Sequence, residues 1–502
     1  MLGRTPMTIF RWFGGIVAKF GRQLRNGAMG AIAIFIVAAA SAAWAQGLYA
    51  GDVAAALTTA DRDEWRQRYE AARATMPDFA VQSVEEFIKI NAWRRAFVAD
   101  GEAVHRFKLR DGEQIVCVAV NSQRALVVAG GDPNVLPPPP EAAPDTAIGG
   151  GNGPIPVRDS GLDSSLDEDG AVRECPAGSF PKLIRPVETY YRFRTLQDIF
   201  KKRPDDLAPE SSGPPHQYTV AADYNTVHTG LQATFNLWHQ YVEEHNEFTL
   251  VQLWAVNGAG SNLQSAETGL QHCYLIYGND NTNLFIFSTQ DGYNTGYYNL
   301  DGGIFVQQDS SVVIGGPLPN YSSFGGTQYA VTLGMVRDAG TGDWWLYVGG
   351  KAVGYYPNSL FSPVGLADGA SSPQFGGELV DDQTGGIHTS TQMGSGRFPN
   401  AGYQYAAFVS QIKYRDANLN WNDDTGLVGD ATIPTLWNIG AINDNSGDPA
   451  WLVNFYYGGP GNVPDDDDNN ANDDDSDAAG ADDDLTPHAS GGRKPAHHGC
   501  GG

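Results

Sequence analysis

From His216 to about Tyr457 the chain is a succession of short apolar runs separated by turn residues, and this alternation limits its fold more than any other feature. Candidate strands are Phe248–Val256, Tyr274–Tyr277, Leu284–Thr289, Tyr329–Arg337, Trp344–Val348 and Tyr405–Tyr414. Turn signals between them include Gly278-Asn279-Asp280, Asp291-Gly292 and Gly340-Thr341-Gly342. Runs such as LVQLWAV are apolar on both faces, which suits two stacked antiparallel sheets. The spacing predicts an all-β domain, an antiparallel β-sandwich, over residues 216–463. Composition points the same way: 61 glycines, 11% aromatic and only 18% charged residues favour turns and strands over helices.

The chain before this domain reads differently. Asp61–Arg73 and Ser83–Phe97 have helical patterns, the second opening with Ser83 and Glu86 at capping-box spacing. Val104–Leu109 and Glu113–Val120 read as strands around an Asp111-Gly112 turn. Residues 46–135 thus form a small α+β region. Residues 136–215 follow as a Pro/Gly linker, with a basic, aromatic block at Glu174–Lys202 and a polar break at Pro204–Pro215 open to proteolysis.

Both ends are distinctive. Arg4, Arg11, Lys19, Arg22 and Arg25 precede an uncharged run, Gly27–Ala45, that closes on Ala43-Trp44-Ala45. Residues 1–45 read as a cleaved export signal, leaving a secreted protein with no stable membrane insertion. Residues 464–502 are Asp/Asn/Ala/Gly-rich and read as a disordered acidic tail. Eleven aspartates between Asp465 and Asp484 carry much of the net charge of −26, and no basic footprint for nucleic acid is present.

Several chemistries lack their residues. There is no H-E-x-x-H, no G-x-S-x-G and no Walker loop, and Cys117, Cys175, Cys273 and Cys500 have no C-x-x-C spacing, so no metal or cofactor is expected. At most two disulfides can form among these four. His272 beside Cys273 reads as structural, since neighbours on a strand face opposite ways. Asp159-Ser160-Gly161 and Asp424-Thr425-Gly426 match the aspartic-protease tripeptide, but their polar flanks make chance matches of them. The remaining carboxylate candidates are Glu267, read as lying just before the strand HCYLIY, and Glu378, behind Gly376-Gly377 in the stretch Ser371–Pro399. Each has small neighbours and few countercharges, the setting in which one of two close carboxyls keeps a proton while the other activates water. Spacing alone does not say that they meet.

At these residues the chain resembles the neprosin family of glutamic peptidases, best known from plants. The matching blocks run in order from AETGLQH and YGNDNTNLFIFSTQDGY, around Glu267, through TGYYNLDGGIFVQ, IGGPLPNYSSFGGTQY and DWWLYVGGKAVGYYPNSLF. They continue with FGGELVDD at Glu378, HTSTQMGSGRFP and FYYGGPGN, covering His216–Asn462. Upstream, FKLRDGEQIVCV and ECPAGSFPKLIRP resemble blocks of the family's activation peptide. The resemblance implies a sandwich with Glu267 and Glu378 as catalytic residues, made as a zymogen, active in acid, and cutting polypeptides after proline. It also implies a Cys117–Cys175 disulfide within the propeptide. Tyr297 and Gly302 stand where plant members carry two cysteines; the export signal, long linker and Asp-rich tail are additions that suggest a bacterial secreted protein.

The expected function is therefore an acid-active glutamic endopeptidase, with either glutamate as base and with Gln271, Trp345 and Gln392 as candidate cleft neighbours. Two alternatives stay open. One is a non-catalytic sandwich binding carbohydrate or a cell surface through its aromatic residues; the other is a two-carboxylate glycosidase.

Overall fold

A computed structural model describes residues 59–99, 101–109, 112–130, 132–141, 157–159, 165–166, 172–202, 216–381, 387–443 and 451–462. The export signal, parts of the linker, the 203–215 break and the Asp-rich tail lie outside these residues. No helix among the described residues is long and apolar enough to cross a membrane.

The upstream region begins with α1 (Thr59–Thr75) and α2 (Val84–Val98). Ser83 caps α2 by accepting the Glu86 amide at 3.2 Å, while the Glu86 carboxylate turns to Lys89 and to the Leu196 amide. Only half of the capping box is made, because Glu86 has tertiary partners. Strands β1 (Ala103–Lys108) and β2 (Gln114–Ala119) form the expected hairpin, and α3 (Ala125–Ala129) follows. The third strand of this sheet, β3 (Ser179–Ile184), comes from beyond the linker and pairs with β2. Cys117 of β2 is disulfide-bonded to Cys175, which precedes β3.

The rest is two sheets. In chain order the main strands are β4 (Gln217–Ala222), β5 (Gly230–Asn236), β6 (Phe248–Asn257), β7 (Gln264–His272) and β8 (Asn283–Thr289). They continue as β9 (Gln328–Arg337), β10 (Trp344–Val348), β11 (Lys351–Tyr356), β12 (Gln374–Val380), β13 (Ala407–Arg415), β14 (Val428–Ala431) and β15 (Phe455–Gly458). One sheet of seven strands runs from Tyr297–Tyr298 through β8, β7, β6, β12 and β4 to β14. The larger sheet has β11, β10, β9, β5, β13 and β15 in that order, with short strands at both ends and Val157–Asp159 of the linker parallel to β9. The main-strand pairings are antiparallel.

Period-two alternation explains the doubly apolar runs. Along β6, Val251, Leu253 and Ala255 enter the core between the sheets, with Ala266 and Leu270 of β7, Leu284 and Ile286 of β8, and Phe375 and Leu379 of β12. Phe248, Leu250, Trp254 and Val256 point the other way, into a second apolar cluster with Phe285, Phe287, Tyr298 and Val380. Each fully buried side chain of this size stabilises the fold by roughly 2–3 kcal/mol relative to exposure. On the far face of the larger sheet, Trp345, Tyr347 and Tyr355 are covered by Ala125 and Leu126 of α3.

Two local expectations fail. Tyr274–Tyr277, read as a strand, is a single helical turn ended by Gly278 at φ 71°. A four-residue apolar run cannot distinguish the two by periodicity. Consequently Glu267 does not precede the strand at HCYLIY; it lies in the middle of β7.

Candidate active site

The seven-stranded sheet brings Glu267 and Glu378 together although 111 positions separate them. Glu267 of β7 lies opposite Trp254, and Glu378 of β12 lies opposite Leu250, on the two flanks of β6. Positions 250, 252 and 254 share one face of β6, so Glu267, Glu378 and Gln252 emerge on the same side, away from the inter-sheet core. Both glutamates are buried, at 0% and 1% exposure.

Lys202, the last described residue before the 203–215 break, completes the arrangement. Its Nζ donates to Glu267 Oε2 at 2.8 Å and to Glu378 Oε2 at 2.7 Å. The rings of Trp254, Phe287 and Tyr293 stand 5.5, 5.6 and 5.7 Å from the ammonium. The segment is held from behind: the Gly296 amide donates to the Phe200 carbonyl at 2.6 Å, and the Tyr298 hydroxyl to the Lys202 carbonyl at 3.3 Å.

Each glutamate also has partners of its own. Glu267 Oε1 accepts the Ser265 hydroxyl at 2.6 Å and the Tyr293 hydroxyl at 2.8 Å. Tyr293 has φ 65°, unusual for a tyrosine, in the turn that aims its ring at the site. Glu378 Oε1 lies 2.5 Å from His216 Nδ1, and Oε2 accepts Gln252 Nε2 at 3.2 Å. Burial works to raise Glu378, but the charge of Lys202 and the contact with His216 outweigh it and hold the carboxyl at about 2. For Lys202 burial works to lower the pKa, and the two carboxylates more than offset it, leaving it raised. Burial, then the charges of Glu378 and Glu267, pushes the Tyr218 phenol far up, so it is a neutral donor.

The three candidate neighbours fare differently. Gln271 is on the glutamate face of β7, donating to Tyr298 and accepting from Tyr277, which seats it in the aromatic wall behind Lys202. Trp345 is not brought to the site: it belongs to β10 of the other sheet and points at α3 and Tyr355. A tryptophan in a run of apolar residues reports burial, not which side of which sheet. Gln392 follows β12, with its amide on the Tyr241 carbonyl at 2.9 Å and its side chain packed over Gly396.

Contributors that escaped the sequence reading include Lys202, His216, Tyr218, Gln252, Ser265 and Tyr293. A signal existed for Gln252, the single polar side chain within LVQLWAV. Lys202 belongs to a basic run, Lys201-Lys202-Arg203, whose burial nothing in the composition betrays. Among the described residues, the group able to hold a metal ion, Asp223, His228 and Asp424, lies elsewhere. Asp223 is five positions beyond Tyr218, the partner of Glu378 on β4, or ~16 Å along the strand.

A two-sheet sandwich that presents two buried glutamates at one point has the architecture of a glutamic peptidase, and the chain is a peptidase of that class. Residues 245–460 match the family model described as Neprosin. Among solved structures it is similar to scytalido-glutamic peptidase bound to a peptide-based transition-state analogue, at 9% identity over 49% of this chain and 99% of that one, TM-score 0.25. A second structure of that peptidase with a transition-state analogue inhibitor gives 10% identity, 49% and 98% coverage and TM-score 0.26. SCP-B, a member of the Eqolisin family in complex with the tripeptide Ala-Ile-His, gives 9% identity, 49% and 98% coverage and TM-score 0.24.

Proposed function

We propose that the chain is the exported, latent precursor of an acid-active endopeptidase that cleaves on the carboxyl side of proline, with Glu267 and Glu378 as the catalytic pair. The observation that carries this reading is the Lys202 ammonium, bonded to both carboxylates from a segment upstream of the sandwich. A cation in that position occupies the place a water would need between the two acids, so the segment that ends at Lys202 keeps the enzyme silent. Cleavage between Lys202 and His216 frees it. That interval lies outside the described residues.

Once Lys202 leaves, the two glutamates become unequal. Glu378 keeps the His216 ring at Oε1 and the Gln252 amide on Oε2, contacts that favour its carboxylate, and so acts as base. Glu267 keeps the Ser265 and Tyr293 hydroxyls on Oε1, with Oε2 turned to the site, and takes the part of general acid. Water gives its proton to Glu378 as its oxygen bonds to the scissile carbonyl carbon, while the Glu267 proton moves toward the developing oxyanion. Collapse breaks the C–N bond, and the proton on Glu378 passes to the departing amine. The flat walls of Trp254, Phe287 and Tyr293 suit a proline ring in place of the lysine stem. The basic stretch, apolar run and Ala43-Trp44-Ala45 of the first 45 residues support export.

The test is purified protein at about pH 3–4, given a proline-containing peptide and an oligosaccharide in separate reactions with pepstatin and a chelator present. Peptide cleavage after proline is expected, falling about 10³-fold in Glu267→Gln and in Glu378→Gln. Activity retained in both variants would sink the assignment, and turnover of the oligosaccharide alone would favour the glycosidase.

A further inference from the structure

The seven-stranded sheet and the larger sheet exchange chain at a point well away from the glutamates. Between β4 and β5 the chain leaves the first sheet for the second, and between Trp421–Asp423 and β14 it returns. Asp223 and His228 are in the first crossing, and Asp424 opens the second. All three are buried, at 3%, 0% and 0% exposure, and one potential ligand atom from each lies within 4.8 Å of the others.

The partners of these groups are incomplete. Asp223 Oδ1 accepts the Asn225 amide at 2.8 Å and its side-chain nitrogen at 2.7 Å, which turns Oδ2 toward His228 Nε2 at 3.2 Å. His228 Nδ1 has no well-formed hydrogen bond, and an imidazole is a common metal ligand. Asp424 is the anomaly. Its amide is fixed on the Ile412 carbonyl at 3.0 Å, yet its carboxylate oxygens have no well-formed hydrogen bond, the Gly426 amide being the backbone donor that approaches them. Buried carboxylates are ordinarily paired, hydrogen-bonded or bound to metal, and Asp424 instead faces the Asp223 carboxylate. Gly426 contributes space: a Cβ there would stand 3.2 Å from Asp223 Oδ2.

The geometry points to a divalent-cation site built by Asp223, His228 and Asp424, in which a zinc-class ion joins the two inter-sheet crossings. Two carboxylates and one imidazole suit Zn²⁺ or Mn²⁺, whereas Ca²⁺ and Mg²⁺ prefer all-oxygen sets. Zinc bonds of about 2.0–2.2 Å place neighbouring ligand atoms roughly 3.3 Å apart, so the three groups, within 4.8 Å of one another, would draw closer around an ion. A fourth position remains for water. The ion neutralises the charge that the two aspartates bring together and ties loops that backbone pairing leaves separate.

The test uses the full chain at neutral pH, freed of metal with a chelator and then given Zn²⁺, or Ca²⁺ as comparison. Bound zinc is counted by elemental analysis after dialysis, and thermal melting is followed by circular dichroism. Asp465–Asp484 and His488, His497 and His498 offer other ligands in every variant alike, so the difference between variants reads this site. The unmodified chain should hold one more zinc than Asp424→Asn and melt about 5 °C higher with zinc than without, a gain absent in the variant. Should Asp424→Asn not fold, Asp223→Asn gives the same comparison. Equal zinc content in the unmodified chain and a folded variant overturns the site, as does a melting temperature of the unmodified chain indifferent to zinc; either leaves Asp424 as a protonated carboxyl.

Discussion

One ammonium shared by two buried carboxylates is stable only while all three groups keep their charges. For Glu378, a drop from 4.5 to about 2 is worth on the order of 3 kcal/mol, shared between Lys202 and His216. A carboxylate held below its free value contributes this stability fully above pH 4.5 and loses it as pH falls through about 2. Acid therefore loosens the Lys202 segment. Limited proteolysis of the unprocessed chain should find residues 203–215 cut and the upstream part released increasingly as pH falls below 4.5; release that increases toward alkaline pH would contradict the sign. Lys202→Met leaves two buried carboxylates with no cation between them. At neutral pH it should destabilise the unprocessed chain by about 3–5 kcal/mol in a denaturant titration, and it should give measurable peptide cleavage before processing.

At the scale of the strand, the glycines next to Glu378 make room for close packing. Glycine before a strand reads as space for close approach by a ligand or by another strand, and the structure shows the strand. In the fold, a Cβ on Gly376, at φ 146°, would lie 2.1 Å from the Thr219 carbonyl of β4, and one on Gly377 would lie 2.5 Å from Met393 Sδ. These glycines let β4 and Met393 pack against β12. Gly376→Ala should thus cost several kcal/mol of stability, seen as a lower melting temperature, because the obstructing atom is backbone and cannot rotate away. Much of this level was legible. The β6 run LVQLWAV reads as doubly buried because it is, and the Glu267 and Glu378 blocks were marked by small residues and sparse charge. The meeting of the two glutamates was not legible, since it depends on β12 pairing with β6, where Glu378 faces Leu250 from 128 positions away. Lys202 was hidden for the same reason: burial of a charged side chain is decided by partners distant in sequence. Tyr297 and Gly302 mark another substitution, with the tyrosine ring within 2.5 Å of where a Cβ at 302 would stand.

Over the whole molecule, the upstream region is hydrogen-bonded to the sandwich, and on the proposed reading it acts as a clamp. The Cys175 amide donates to the Ser310 carbonyl at 2.7 Å, Gln123 Nε2 to the Gln307 carbonyl at 2.9 Å, and Arg185 to the Gly315 carbonyl at 2.7 Å. Cys117 and Cys175 are 58 positions apart and both upstream, so their bond stiffens the clamp without fastening it to the sandwich. Closing a loop of that length is worth about 4 kcal/mol by chain entropy. Reduction should therefore loosen the upstream region and speed activation in acid, while peptide cleavage by the processed enzyme stays unchanged. The clamp's action at the site narrows to Lys202. N-terminal sequencing during acid activation, with cleavage of a proline-containing peptide followed in the same samples, tests that most directly. Activity should rise in step with loss of the chain through Lys202 and appear on species that begin between Lys202 and His216. Full activity from a chain that still carries Lys202 would contradict the account.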